Sequence, residues 1–244
     1  MKHKEYYQAV SEQLERQVTE EEATIEEAAQ ICAASVCADR LIHAFGCGHS
    51  QMFAMEIFYR TGGLVPVNAL LLPHTALFPK AKLSTIQERM EGFASTYLDL
   101  EDTAAEDTMI IVSISGRNAM VIDMALAAKA KGMKVIALLS REFSDGVSSR
   151  HSSGKKLGDV ADVVIDIKCV SGDACMAIEG ISEKFGGTST ILGMTVIQMI
   201  MVRTVEICLE KGYTPDIWVS SNLDQGDQHN IGLIAEYGKK IDCL

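Results

Sequence analysis

The sequence predicts an α/β fold: a doubly wound parallel sheet with helices on both faces, preceded by a helical extension at the N-terminus. Three features predict it. Short, near-continuously apolar runs at 41–45, 109–113, 134–140 and 162–167 read as strands buried on both sides. Stretches at helical spacing alternate with them, the pattern that right-handed crossover connections require. Two of the strands run into a turn rich in Gly and hydroxyl residues that opens a helix, so a strand, turn and helix unit occurs twice.

The elements follow in order. The first forty residues contain no Gly or Pro, and Leu14, Val18, Ile25, Ala28, Ala29, Cys32 and Val36 fall near helical spacing, which predicts one or two helices before the first strand. After the strand at 41–45 comes the turn Gly46, Cys47, Gly48, His49, Ser50, then a helix over 51–59. The strand at 109–113 leads to Ser115, Gly116, Arg117 and Asn118, then to a helix over 121–131 that Gly132 ends. Strands at 134–140 and 162–167 follow, with a helix end at 155–160 between them. A long apolar helix covers 188–211; its Gly, Thr, Ser and Gln content marks a buried helix rather than a membrane span. Segments 66–79 and 142–154 read as loops, and 222–230 as a polar, turn-rich stretch. No Gly/Ser or Pro linker divides the chain; the organisation is a helical segment, 1–40, packing on or between subunits, and a domain over 41–244.

Composition narrows the function. The 33 acidic against 22 basic residues give a net charge of -11, the wrong sign for a general nucleic-acid binder. A small anion remains compatible, because backbone amides and hydroxyls hold a phosphate locally. The seven cysteines are odd in number and contain no CxxC pair, and the first residues lack the apolar stretch of a signal peptide, so the expectation is a reduced, cytoplasmic protein. No HxxxH, HExxH or paired-cysteine spacing is present, so no metal is expected, and no cofactor is implied.

In doubly wound sheets ligands sit beyond the carboxyl ends of the strands, which directs attention to the two turns. Ser50 closes the first, while Ser113, Ser115 and Asn118 belong to the second; hydroxyls and amides above a helix start make a phosphate cradle. Any one of them could instead be a simple helix cap. Two turns on adjoining strands, and a further hydroxyl cluster at Thr188, Ser189 and Thr190, favour the cradle. Gly46 and Gly48 also open a GxGxxG pattern, but Gln51 stands where its third glycine belongs and no acid is placed to grip a ribose, so a dinucleotide fits less well.

These motifs resemble those of the sugar isomerase (SIS) domain proteins. Gly46 to Ser50 is similar to the family's Gly-x-x-Ser turn, and Ser113-Ile114-Ser115-Gly116-Arg117-Asn118 to its Ser-x-Ser-Gly-x-Thr, with Asn118 in place of Thr. The resemblance spans about 41–211, and the nearest overall likeness is to stand-alone bacterial SIS proteins grouped with phosphosugar isomerases. It implies a flavodoxin-like sheet that binds a phosphorylated sugar, with Ser50, Ser113, Ser115 and Asn118 on the phosphate and Gly48, Glu88, Ser189 and Thr190 lining the sugar pocket. It implies self-association as a dimer or tetramer, with no nucleic-acid or membrane partner. It does not choose a reaction, because isomerases, an etherase and sugar-phosphate sensors share the domain.

Aldose–ketose isomerisation needs a base beside the sugar carbons. Glu56 lies six residues after Ser50, and Glu88 and Glu91 are three apart, on one face if helical. His49 adjoins the first turn and His229 lies in the polar segment near the C-terminus. His74-Thr75-Ala76-Leu77 and Glu91-Gly92 are a partial likeness to the etherases and favour Glu91. Glu56 could instead pair with Arg60 at helical spacing, and Glu88 and Glu91 with Arg89 or solvent. The expected function is a sugar-phosphate isomerase acting by α-proton abstraction, with Glu56, Glu91, His49 and His229 as catalytic candidates; a non-catalytic sensor or an etherase-like lyase is the alternative.

Overall fold

A computed structural model describes all residues 1–244. The elements in chain order are α1 (Lys2–Glu20), α2 (Glu22–Cys37), β1 (Ile42–Gly46), α3 (Gln51–Ile57), β2 (Val67–Ala69), α4 (Ala81–Gln87), α5 (Phe93–Leu98), β3 (Thr108–Val112), α6 (Ala119–Ala130), β4 (Lys134–Leu139), α7 (Arg141–Asp145), β5 (Val163–Asp166), β6 (Ala174–Met176), β7 (Phe185–Gly187), α8 (Ser189–Glu210) and α9 (Gly226–Tyr237). Five parallel strands form one sheet in the order β2-β1-β3-β4-β5, as expected for the doubly wound class. The chain steps from β1 to β2 on one side and returns to β3 on the other, so the winding direction reverses between β1 and β3. The crevice there is where such sheets bind ligands.

Side chains alternate across the strands, and the two faces bury separate cores. Ile42, Ala44, Ile110, Val112, Ile136 and Leu138 face α2, α3 and α8. Phe45, Met109, Ile111, Val135, Ala137 and Leu139 face α5 and α6. The long helix α8 is apolar enough by composition to cross a membrane, yet half of it is buried, with Leu192, Val196, Ile197 and Ile200 packed in the first core. Gly193 lets it close on α3, since a Cβ there would lie 2.7 Å from Phe53 Cζ.

The N-terminal segment forms two helices. α2 contributes Ala28, Ala29, Cys32 and Ala33 to the first core, and Tyr6 of α1 donates its hydroxyl to the Gly187 carbonyl at 2.6 Å.

Several expectations need correction. The 66–79 segment is not all loop: β2 occupies its start, pairing Val67 with Ile42, and its three residues are too few to show a period. The segment at 142–154 opens within α7, capped where Ser140 Oγ accepts from the Phe143 amide at 3.2 Å. The span 155–160 holds only a 3-10 turn at Leu157–Asp159. The polar stretch at 222–230 runs into α9, anchored through its apolar positions on a small core of Leu41, Val65, Trp218, Tyr237 and Ile241. Helices α4 and α5 and the β6/β7 hairpin had no expectation attached to them.

Candidate functional site

The two turns leave neighbouring strands at the same level, because Gly46 of β1 pairs with Val112 of β3. The first turn is a 3-10 turn, Gly48–Ser50, running into α3. Gln51 locks it to the chain after β2, donating to Leu72 O at 2.7 Å and Thr75 Oγ1 at 2.8 Å, and Ser84 Oγ donates to Thr75 O at 2.6 Å. That is the physical use of Gln51 at the position a dinucleotide motif would give to Gly. Gly48 takes φ +60° and Gly116, in the second turn, also takes φ +60°, a left-handed conformation that favours glycine.

Ser50, Ser113 and Ser115 are half-buried, and none of their hydroxyls makes a hydrogen bond within the chain. Other inward serines behave differently: Ser35 donates to Glu106 O, Ser84 to Thr75 O and Ser140 to Cys169 O, each at 2.6 Å. The amides of Gly48, His49, Ser115, Arg117 and Asn118 likewise find no acceptor in the chain. Free hydroxyls and amides concentrated at a strand crevice are groups of the kind that hydrogen-bond an oxyanion, and none of the three hydroxyls caps a helix. Asn118 is the N-cap of α6 but its side chain makes no cap bond; Oδ1 instead accepts from Arg150 Nη1 at 2.9 Å.

The three carboxylates separate clearly. Glu56 points to α8, ion-paired with Arg60 and accepting from Gln198 Nε2 at 2.8 Å, so the pairing with Arg60 is realised. Glu91 is exposed and accepts both the amide and the hydroxyl of Ser152 at 2.6 Å; these two bonds hold its carboxyl below the usual range. Glu88 and Glu91 do not share a helix face, because α4 ends at Gln87 and Glu91 lies in the turn that follows. Glu88 is half-buried beside the second turn, its carbonyl accepting from the Met120 amide at 3.1 Å; burial pushes the Cys47 thiol of the first turn up, and the Glu88 charge adds to that. Burial pushes the Glu88 carboxyl up, against the opposing pull of Asn118, Arg89 and Arg150.

The remaining candidates divide the same way. His49 is exposed on the first turn itself. His229 lies on α9, its Nε2 3.2 Å from the Ile217 carbonyl. Ile217 bridges to Leu64, ahead of β2, so His229 stands at the amino ends of the strands, the pole opposite the turns. Ser189 is committed inside the fold: Asp173 Oδ1 accepts the amides of Thr188 and Ser189 at 2.9 and 2.8 Å, and Ser189 Oγ donates to Asp173 Oδ2 at 2.5 Å. An internal carboxylate therefore takes the anion position at the start of α8, leaving Thr190 half-buried beside it.

Arg89, Arg117 and Arg150 gather around Glu88 and Asn118; the sequence suggested Arg89 only as an ion-pair partner of Glu88 or Glu91, a pair that does not form, and gave Arg117 and Arg150 no role. The only signal was Arg117 inside the second motif; Arg150 arrives from a loop distant in sequence.

The SIS-domain family profile matches residues 5–140. The chain is 39% identical to a UPF0309 protein of Geobacillus thermodenitrificans over 240 residues, covering 98% of this chain and 96% of that one. It is 40% identical to a UPF0309 protein of Thermoanaerobacter pseudethanolicus over 84% of each chain. Among solved structures, a phosphoheptose isomerase from Neisseria gonorrhoeae superposes with TM-score 0.52 at 18% identity, covering 86% of this chain and 97% of that chain. One from Francisella tularensis gives TM-score 0.54 at 16% identity, covering 84% and 97%. Those two likenesses concern the fold, and the family follows from the sequence matches: the chain belongs to the UPF0309 family of SIS-domain proteins.

Proposed function

We propose that the chain binds a phosphorylated sugar across its two turns and isomerises it between aldose and ketose. The observation that carries this reading is the set of free, half-buried hydroxyls of Ser50, Ser113 and Ser115 at the β1/β3 crevice, beside amides without acceptors. The phosphate ester sits on these groups, with Gly48 allowing close approach, and its binding energy fixes the sugar carbons near Glu88. Solved proteins that share the fold include two phosphoheptose isomerases, which is in line with a sugar-phosphate ligand.

Glu88 is the base in this reading, in preference to Glu56, whose Oε1 is held by Arg60 and Gln198, and to Glu91, both of whose oxygens are held by Ser152. Its carboxylate takes the proton from C2 of the open-chain aldose, the electron pair moves into a C1–C2 double bond, and the carbonyl oxygen receives a proton. Return of the carbon proton to C1 with loss of the O2 proton yields the ketose. His49, exposed at the rim, serves ring opening. His229 reaches such a site only from a second copy of the chain.

Self-association is part of the proposal. α1, α2 and α8 bound a groove of about 1280 Å³ in which Val18, Met194, Met199 and Val202 lie among charged residues including Glu22, Glu26 and Arg203, with Val18 and Val202 more than half exposed. A dimer or tetramer covers this strip.

The test is incubation with hexose and amino-sugar 6-phosphates in deuterated water, followed by NMR. Deuterium entering at C1 or C2 with wild type and not with Glu88→Gln supports the proposal. Saturable binding without exchange makes the protein a sensor, release of a C3 substituent makes it a lyase, and absence of binding by any sugar phosphate removes the reading.

A further inference from the structure

Of the five arginines away from Glu88, four are paired and only Arg141 is not. Arg16, Arg40, Arg60 and Arg203 each ion-pair with a carboxylate. Arg89, Arg117 and Arg150 form no ion pair, although the chain carries 33 acids. They are nonetheless brought together. The Arg150 amide donates to Arg117 O at 2.8 Å, Arg150 Nη1 donates to Asn118 Oδ1, and Arg117 Nε donates to Ser148 O at 2.9 Å.

The loop that delivers Arg150 is built for rigidity. His151 Nε2 lies 2.9 Å from Asp123 Oδ1, His151 N donates to Ser149 Oγ at 3.0 Å, and Glu91 grips Ser152 through its amide and hydroxyl. Thus Glu91, Asp123 and Arg117 hold the loop by its polar groups while the Arg150 guanidinium is left with one bond, to a neutral amide.

Bringing guanidinium groups together without carboxylate partners is unfavourable, and partial desolvation with repulsion from Arg117 and Arg89 lowers the basicity of the exposed Arg150. Glu88 offsets one charge of the three. The excess positive charge lies beside the turn residues, next to the carboxylate placed at the sugar carbons.

Resting on the phosphosugar reading, we infer that the substrate is an acidic sugar phosphate, whose second anionic group, a carboxylate or second phosphate on the sugar, is gripped by Arg150 with Arg89 beside it. The first phosphate takes the hydroxyls and amides, and the planar fork of Arg150 is suited to two oxygens of the second group.

The experiment compares three open-chain or readily opened probes by titration calorimetry: sorbitol 6-phosphate, 6-phosphogluconate, which differs from it by a carboxylate at C1, and fructose 1,6-bisphosphate. Wild type is expected to bind one or both of the doubly anionic probes at least on the order of tenfold more tightly than sorbitol 6-phosphate. Arg150→Ala abolishes that preference, weakening sorbitol 6-phosphate much less than the doubly anionic probes. The exposed position of Arg150 keeps the variant folded, and Arg150→Lys, retaining charge without the fork, recovers part of the preference. Equal binding of all probes by wild type, or an Arg150→Ala loss equal for all of them, overturns the inference and leaves the phosphosugar reading standing. No binding of any probe overturns both.

Discussion

Gly46 and Ser50 are in contact across the first turn so closely that a Cβ on Gly46 would lie 2.6 Å from the Ser50 carbonyl carbon and 2.9 Å from its Cβ. The end of β1 and the start of α3 therefore meet without room for a methyl group. Gly46→Ala must displace the Ser50 backbone, because the obstacle is main chain and not the end of a flexible side chain. The expected result is a stability loss of about 1–3 kcal/mol in urea unfolding and, separately, sugar-phosphate affinity reduced by on the order of tenfold or more. Ser50→Ala, which deletes a hydroxyl with no partner in the chain, should weaken binding with little change in the unfolding midpoint. Unchanged affinity in both variants would detach the first turn from the ligand.

Glu88 should oppose stability and function to one another. Burial raises its carboxyl pKa in the folded protein. A raised acid favours folding most when protonated, so its contribution is full below the unfolded-state value and is lost as pH rises through the folded value. At neutral pH the buried charge is a cost, and Glu88→Gln should unfold at higher urea than wild type, with the difference shrinking toward acid pH. The same substitution abolishes carbon-proton exchange, and the wild-type exchange rate falls as the solution is acidified through the raised pKa. Glu91→Gln, by contrast, should retain exchange, since its oxygens serve Ser152. Exchange lost in Glu91→Gln and kept in Glu88→Gln would reverse the assignment.

How much of this was legible in the chain depends on range. The runs at 109–113 and 134–140 are apolar on both faces, so their burial shows in composition alone, and Gly132, at φ +90°, marks the end of α6. β2 escaped because three residues carry no period, and α9 because its first turn is polar while its apolar contacts, Tyr237 and the following Ile241, come late. In the candidate site, the gathering of Ser50, Ser113 and Ser115 on two turns is visible in the sequence because each turn is local. The choice among carboxylates was not, since Glu56 is claimed by Gln198, 142 residues away, and Glu91 by Ser152, 61 residues away. Ser189 shows the same long reach: its hydroxyl donates to Asp173, which lies at the start of the β6/β7 hairpin.

The strip along α8 gives a prediction about assembly. Val202 is 61% exposed and Val18 51%, on the two sides of the same groove. Val202→Glu puts a charge into that strip at no cost to the isolated fold, so light scattering after gel filtration should show a shift toward monomer. The unfolding midpoint should become less dependent on protein concentration than that of wild type. A wild-type protein that is monomeric at every concentration would leave the strip uncovered and remove His229 from any role at the turns.

At the amino ends of β1 and β3, Asp107 ties several groups into one buried network. Its carboxylate accepts from Arg40 Nε and Nη2 at 3.0 Å, from the Leu41 amide at 2.9 Å and from the Ala104 amide at 2.6 Å, with His43 Nε2 at 3.3 Å. Burial alone would raise the carboxyl, but His43, Arg40 and the two amides outweigh it and hold it far below the ordinary range. A depressed acid contributes stability above its unfolded value, and that contribution is lost as pH falls from there toward the folded value. Asp107→Asn keeps the shape yet leaves the partly exposed Arg40 without its carboxylate, a change expected to cost about 1–3 kcal/mol. Urea unfolding should show that deficit at neutral pH, and it should narrow steadily below about pH 4, near the unfolded Asp value. A deficit constant across the acid range would mean that Asp107 acts through packing and not through its charge.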